Sequence, residues 1–559
     1  MKVLQDVTEK TTRNFFQDNN TLQLILEDTL NKDFLDYATR ELTVFGELCA
    51  NDIDLRAKHT DREGEPKLKR YDKYGEEVSE VWVNDGYKKT VQETYDTGIV
   101  GYVHKEIPAL GVKGNYTYSF AQGYLLSHAE PGFYCPVTLT MATAYLLDHY
   151  ADDTLKERFL TPVCSTGEGP LFEGATFLTE RQGGSDVGAN VVKAVKEVKE
   201  GNNYRLFGEK YFASNAGMCG VAMVLARIEG APVGSKGLTL FAVPWRKDNG
   251  EVNHLRVRRL KDKLGVRAVP SGEVEFDGAE AFVVGDPTKG FYYMMEALNL
   301  SRICNAVASI GIMRRALLEA KDYATRRNAF GKRLSDFPMV RDTLGKLAAT
   351  LHVEVATVFG LIGLYEKVTA GEATEQEVIL NRLYIAIMKK ETAEQAIHFA
   401  HEAIEMHGGN GYIEDFVTPR LLRDAQVLTV WEGTANILGL ELIRLVNKYS
   451  AHIVFTNVMQ MRLQQIADNE LKQIVVIQLK LLTKELTKFA NLDVDLQSFE
   501  AKKLAKKMAH LYESVVAVEW AAKHGGRYKK LAEVYLDEVW ALRDIGDLMK
   551  TVQYFEEIV

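Results

Sequence analysis

The sequence predicts an α+β fold, mostly α, in the order helical, β, helical, helical. Three observations predict it. Apolar residues recur at helical spacing in the first part of the chain and again beyond about Gly290. Between Gly174 and Asp286 the chain instead carries short β-rich runs separated by glycine-containing turns. A chain of 559 residues, 46% hydrophobic and 26% charged, suits three or four packed units and rules out disorder, collagen or a rod.

Residues 1–172 form the first helical unit. Thr21–Tyr37 is predicted as one helix because Leu22, Ile25, Leu26 and Leu30 share a face. Lys58–Glu77 is charged, with few apolar residues, and reads as a solvated loop or short hairpin. Residues 173–286 form the β unit. Its strands are predicted at Tyr204–Phe207, Val221–Ala226, Leu238–Pro244 and Glu273–Phe276, after an amphipathic stretch at Val192, Ala194 and Val198 and a turn at Glu200–Asn203. Residues 287–450 return to helix, with Ile303, Val307, Ile310, Met313 and Leu317 on one stripe. Residues 451–559 add a further helical unit, where Leu471, Val475, Leu479, Leu482, Leu486 and Phe489 keep the same spacing.

Composition excludes several functions. With 68 basic against 77 acidic residues the net charge is −9, which argues against a nucleic-acid coat or a polybasic membrane binder. The start, MKVLQDVTEK, has acids and no apolar run, so neither a signal nor a transit peptide is expected. The longest uncharged stretch, Pro131–Leu147, is short and broken by two prolines, so no membrane span is expected. The five cysteines are scattered and form no CxxC pair, which points to a reducing cytoplasm. The P-loop pattern is missing, and Gly167-Glu168-Gly169 lacks the third glycine of a dinucleotide fingerprint. Val187 spoils a nucleophile elbow at Gly183–Val187. His398, His401 and His407 form no HExxH, and no metal site is predicted.

Four segments carry the chemistry. They are Thr176–Asn190 (TFLTERQGGSDVGAN), Gly208–Gly217 (GEKYFASNAG), Tyr323–Gly331 (YATRRNAFG) and Met406–Asn436, which contains GGNG and WEGT. Singly, each has a plain reading: a turn, a helix stop, a solvated arginine pair, a partly exposed acid. Together, in this order on an α–β–α background, they resemble the acyl-CoA dehydrogenase family over roughly residues 90–446. That family carries T-E-x-x-x-G-S-D, R-x-x-F-G, G-G-N-G and [YW]-E-G-T, and all four stand here. Gln182–Asp186, Trp431 and the helical tail resemble its AidB-like branch, which is associated with the adaptive response to alkylation and linked to DNA binding.

The resemblance implies FAD-dependent α,β-dehydrogenation of an acyl-CoA thioester to the trans-2-enoyl-CoA, with hydride passing to flavin N5. Glu432 takes the role of the base for the α-proton, and a carboxylate in a water-poor site is suited to it. Relatives that place the base near the substrate-side arginine have an acid there, whereas Asn299, Ser301 and Ile303 surround Arg302 here. Thr179, Ser185, Phe212 and Ser214 are implied to bind FAD, as are Thr434 and Asn436. Arg327, Phe330, Gly408 and Gly409 are implied to reach the FAD of a neighbouring subunit. Ser185, Arg302 and Gly433 are implied on the substrate side. The chain departs from the family at Arg181, Ala329 and Pro338, where proline, threonine and glutamine are commoner. A homodimer or homotetramer and an electron-transferring flavoprotein as partner also follow from the resemblance.

An acyl-CoA oxidase-like enzyme and an AidB-like flavoprotein with little turnover stay open at this point. DNA binding is not expected. Residues 451–559, where Lys502, Lys503, Lys506 and Lys507 lie, hold 15 basic and 15 acidic residues.

Overall fold

The computed structural model describes residues 13–197, 203–545 and 547–559. Val198 and most of the turn expected at Glu200–Asn203 lie outside the described residues. The chain opens with α1 (Asn20–Thr29), α2 (Lys32–Leu48) and α3 (Asp54–Arg62). The single helix expected over Thr21–Tyr37 is therefore two. The Asn31 side chain accepts from the Phe34 N–H at 3.0 Å and starts α2 afresh, so a polar cap splits a continuous apolar stripe. Leu22, Ile25, Leu26 and Leu30 are nonetheless all buried. The charged stretch expected as a loop or hairpin from Lys58 is still helix to Arg62, the end of α3, and only then becomes an antiparallel hairpin of β1 (Lys67–Tyr71) and β2 (Glu77–Trp82). Next come α4 (Asp85–Tyr95), α5 (Tyr116–Ala129) and α6 (Pro131–Tyr150). Pro131 occupies the first turn of α6, where its missing N–H is harmless, and Pro136 follows without ending the helix. Burial of almost the whole of α6 outweighs the hydrogen bond lost there.

Seven strands follow: β3 (Gly174–Phe177), β4 (Lys193–Lys196), β5 (Asn203–Ser214), β6 (Val221–Ile228), β7 (Leu238–Pro244), β8 (Leu255–Leu260) and β9 (Ser271–Val283). They run in the order β8-β9-β5-β4-β6-β3, and β7 pairs with both β6 and β9, so the sheet closes on itself. The β6 strand is parallel to β3 and β4; the other pairs are antiparallel. Alternation along β6 serves two cores. Ala222, Val224 and Ala226 pack with Phe177, Phe241 and Phe276 inside the β unit, whereas Val221, Met223 and Leu225 join the helical core.

The second helical unit holds α7 (Gly290–Arg326), α8 (Pro338–Thr369), α9 (Glu375–His407), α10 (Thr418–Leu428) and α11 (Ala435–Tyr449). The α7 helix packs on α5, α6, α8 and α9. The tail adds α12 (Ala451–Gln464), α13 (Glu470–Ala490), α14 (Val494–His524) and α15 (Gly526–Val539). The stripe Leu471–Phe489 is the buried face of α13. Helices α14 and α15 lie against α8. That matters because α8 is long and apolar enough to cross a membrane, with mean hydropathy 1.8, yet 78% of its apolar window is buried in the protein.

A buried ion cluster ties the first unit to the second. Arg315 of α7 grips both Asp54 oxygens at 3.0 Å, and Arg420 of α10 holds Oδ1 at 3.0 Å. The same arginines donate to the His128 and Ala129 carbonyls at the end of α5. Burial alone would raise the Asp54 pKa, but the two guanidiniums outweigh it and hold the carboxyl below its usual range. Asp54→Ala should therefore lower stability by about 3 kcal/mol, since it leaves buried Arg420 without a carboxylate partner and Arg315 with Glu319 alone. A carboxyl with a depressed folded pKa contributes fully above its unfolded value of about 3.9 and loses that contribution as pH falls through the folded value. The melting-temperature gap between wild type and variant should accordingly be full at neutral pH and narrow below about pH 4; a gap that ignores pH would contradict it.

Candidate active site

The Glu432 loop lies between the end of α10 and the start of α11. Glu432 has φ 59° and Gly433 φ 100°. A non-glycine residue in the left-handed region costs roughly 1–2 kcal/mol, so something must hold it. Three side chains from two long helices do. Arg302 Nε of α7 donates to the Glu432 carbonyl at 3.1 Å. Lys389 Nζ of α9 donates to the Gly433 carbonyl at 2.8 Å. Asn305 Nδ2 of α7 donates to the Leu428 carbonyl at 3.2 Å, meeting a group left over by the end of α10. At Gly433 a Cβ would come within 3.2 Å of Ile437, so space and φ both favour glycine. Among the described residues, the N–H groups of Glu432 and Gly433 meet no protein acceptor.

Glu432 is half-buried by surface exposure, but protein crowds its carboxyl. Burial pushes its pKa up, against the pull of Arg302 and Lys389. Lys389, itself buried, is pushed down to about 7 by burial, with Glu432 opposing and Arg302 reinforcing the shift. The carboxylate field also reaches Cys135 of α6 and Cys304 of α7, two thiols that burial pushes up to about 12. Sequence reasoning paired Arg302 with Glu432 and missed Lys389, which no motif contains. Its one signal is a Lys389-Lys390 pair inside an otherwise apolar helical run.

A second group gathers at the edge of the closed sheet. The Tyr211 N–H donates to the Thr179 carbonyl at 2.9 Å, joining the Thr176–Asn190 segment to β5 beside Phe212. Phe212 is 53% exposed, a large aromatic face left bare. Ser214 and Ser271, opposite each other on β5 and β9, share a hydrogen bond at 3.1 Å. Ser185 is exposed on the glycine-rich loop, where Gly183 has φ 121°. The loop is pinned from within: Glu180 accepts from the Val191 and Val192 N–H groups and from Lys210 Nζ at 2.8 Å. Both side chains of that ion pair are nearly inaccessible, and burial pushes Lys210 down to about 8. A bare aromatic ring, hydroxyls on adjacent strands and a backbone-rich turn suit a flavin with its ribityl chain and phosphates. Thr434, the N-cap of α11, and Asn436 in its first turn are exposed beside the Glu432 loop.

The remaining site residues stand apart. Arg327 caps the end of α7, and Phe330 follows at φ 51° and 98% exposure. Gly408, φ 60°, ends α9, and Gly409 is exposed after it. These two turns are neighbours, because Tyr323 stacks on His407 at 4.3 Å and Asn410 donates to its hydroxyl at 3.2 Å. Arg302 and Arg327 are separated by about 37 Å of helix at roughly 1.5 Å per residue, so this cluster lies far from Glu432 in the same chain. His398 and His401 are exposed, and among the described residues no group of three or more His, Cys, Asp or Glu could hold a metal ion.

The architecture is a helical unit, a closed β unit and a helical bundle, with an acid loop between two bundle helices. Family models agree along the chain. The acyl-CoA dehydrogenase middle domain matches residues 175–279, its C-terminal domain residues 288–446, and the adaptive response protein AidB N-terminal domain residues 6–167. Acyl-CoA dehydrogenase family member 11 of Caenorhabditis elegans is 32% identical over 447 residues, 78% of this chain and 71% of the relative. The putative acyl-CoA dehydrogenase AidB of Escherichia coli is 31% identical over 68% of this chain and 69% of the relative. The crystal structure of Caenorhabditis elegans ACDH-11 in complex with C11-CoA superposes with TM-score 0.87 at 28% identity, over 95% of this chain and 92% of that one. The Bd2924 apo-form gives TM-score 0.83 at 32% identity, over 91% and 98%. The chain belongs to the acyl-CoA dehydrogenase family, whose cofactor is FAD.

The Glu180–Lys210 pair yields a test of how the sheet edge is held. Glu180→Ala should lower the melting temperature by stranding a buried ammonium, and should lower the FAD-to-protein absorbance ratio by freeing the loop. Adding Lys210→Met should recover much of the melting temperature but not the FAD content. Full FAD retention in both variants would show that the pair does not support the loop.

Proposed function

We propose that the protein oxidises an acyl-CoA thioester at Cα–Cβ to the trans-2-enoyl-CoA, with Glu432 as the base. One observation carries this reading: a carboxyl that burial pushes up stands on a left-handed loop whose N–H groups are unspent. A carboxylate tuned upward toward the working pH is a better base than a solvated one. The Glu432 N–H is aimed for the thioester carbonyl, which gains negative charge as the α-C–H bond breaks. Glu432 takes that proton and holds it on its carboxyl. Arg302 stays charged and fixes the loop on which the base stands. When bound, FAD supplies the acceptor for the β-hydride. Thr179, Ser185, Phe212 and Ser214 would hold it from the β unit, and Thr434 and Asn436 from the start of α11. Ser185 and Gly433 would meet the substrate. The bound C11-CoA named for the worm structure supports an acyl-CoA ligand here.

Arg327, Phe330, Gly408 and Gly409 are too far from Glu432 to complete the same site in one chain. The bare Phe330 ring beside a guanidinium and open glycine backbone suits the FAD of a second copy, so the working form is a homodimer or homotetramer. An electron-transferring flavoprotein is the partner this reading favours for reoxidation. The five cysteines are unpaired, in keeping with a reducing cytoplasm. The AidB N-terminal match favours a second reading, a flavoprotein with a nucleic-acid or stress role and little turnover. Against it, the tail balances 15 basic with 15 acidic residues, and Lys507 pairs with Glu485, Lys523 with Asp28 and Lys530 with Glu557, although Lys502, Lys503 and Lys506 are exposed.

Two outcomes test the proposal. Glu432→Gln should keep FAD and acyl-CoA binding and slow flavin bleaching about 100- to 10,000-fold, as removal of a general base does; an unchanged stopped-flow rate would reject the base. Arg327→Ala should lose FAD more readily on gel filtration. A monomer by light scattering that holds one FAD per chain as firmly as wild type would reject the shared site.

A further inference from the structure

Lys389 is a buried cation that no family motif contains, and it sits where a cation is costly. An ammonium taken out of water costs several kcal/mol unless it is paired, and a methionine of similar length would pack there without that penalty. Its partner is the carbonyl of Gly433, the residue after the base. In a trans peptide the carbonyl and the next N–H point opposite ways. Arg302 on the Glu432 carbonyl therefore sets the direction of the Gly433 N–H, and Lys389 on the Gly433 carbonyl sets that of the Thr434 N–H. Two successive peptide planes, both in left-handed backbone, are fixed from two different helices.

We infer that Lys389 is a positioning residue for the Glu432 base: its amino group donates to the Gly433 carbonyl and locks the Gly433–Thr434 peptide. The inference rests on the reading of Glu432 as the base. The charges whose fields reach that carboxyl are Arg302 from α7 and Lys389 from α9, and its own field reaches the thiols of Cys304 from α7 and Cys135 from α6. Both thiols stay neutral, being pushed up to about 12, so Arg302, joined by Lys389 while it holds its proton, favours the ionised acid. Where Lys389 is protonated, removing it leaves the carboxyl one cation fewer, so its pKa rises further and less of it is a base.

The test uses FAD-loaded wild type, Lys389→Met, Lys389→Arg and Glu432→Gln, with flavin bleaching by an acyl-CoA followed against pH in stopped flow. The limb on which the rate rises with pH reports the base. Lys389→Met should keep FAD content and melting temperature, slow bleaching at pH 7 by roughly 10- to 100-fold, and move that limb to higher pH by about one unit. Lys389→Arg, which keeps charge and donor, should restore most of the rate and the wild-type limb. A crystal structure of Lys389→Met gives a readout independent of turnover, and should show the Gly433–Thr434 peptide turned from its wild-type orientation. A Lys389→Met variant with wild-type rate, limb and loop overturns the inference. Glu432→Gln separates the two failures: if it still bleaches, the base assignment is wrong; if it is dead while Lys389→Met matches wild type, only the role of Lys389 is wrong.

Discussion

The structure depends on a short loop held in an unfavourable shape. Between Leu428 and Gly433 the backbone must stop one helix, turn through two left-handed residues and start another. Nothing in the loop's own propensities stabilises a glutamate at φ 59°. The cost is met from α7 and α9, whose Arg302, Asn305 and Lys389 each supply a donor to a carbonyl of the loop or of the helix end before it. The rest of the bundle can be read as the support for those three side chains. Helices of 37 and 33 residues are rigid enough to hold them, and they are locked in place by α5, α6 and α8.

The same logic links the units. The β6 strand shares its two faces between the helical core and the β core, so the sheet cannot shift against the bundle without opening apolar surface. The Asp54 cluster ties α3, the end of α5, α7 and α10 together. The α10 helix leads directly into the base loop, so a cluster outside any motif helps fix where that loop begins. The tail helices cover α8, which would otherwise present a long apolar face to water.

Much of this was legible in the sequence. The helical stripes at Ile303–Leu317 and Leu471–Phe489 are buried faces of α7 and α13, because a 3.6-residue period leaves few alternatives. Resemblance set Arg302 on the substrate side near the base, and in the structure it donates to the Glu432 carbonyl. Other features were not legible, for identifiable reasons. One apolar stripe concealed two helices, since Asn31 interrupts it with a side-chain cap and no change of period. Pro136 read as a breaker, yet burial across α6 overrode it. Closure of the sheet through β7 is a long-range pairing that local propensity does not encode. Lys389 and the Glu180–Lys210 pair gain their meaning from partners far away in the chain, so no linear motif marks them.

The central claim is that this loop geometry makes Glu432 a working base toward an acyl-CoA. Its most direct test is an anaerobic titration of the purified FAD-loaded protein with acyl-CoAs of graded chain length and branching, following flavin absorbance. The account predicts stoichiometric bleaching with at least one of them, and formation of the matching 2-enoyl-CoA. Acyl-CoAs that bind, as seen by calorimetry, while none bleaches the flavin would contradict it.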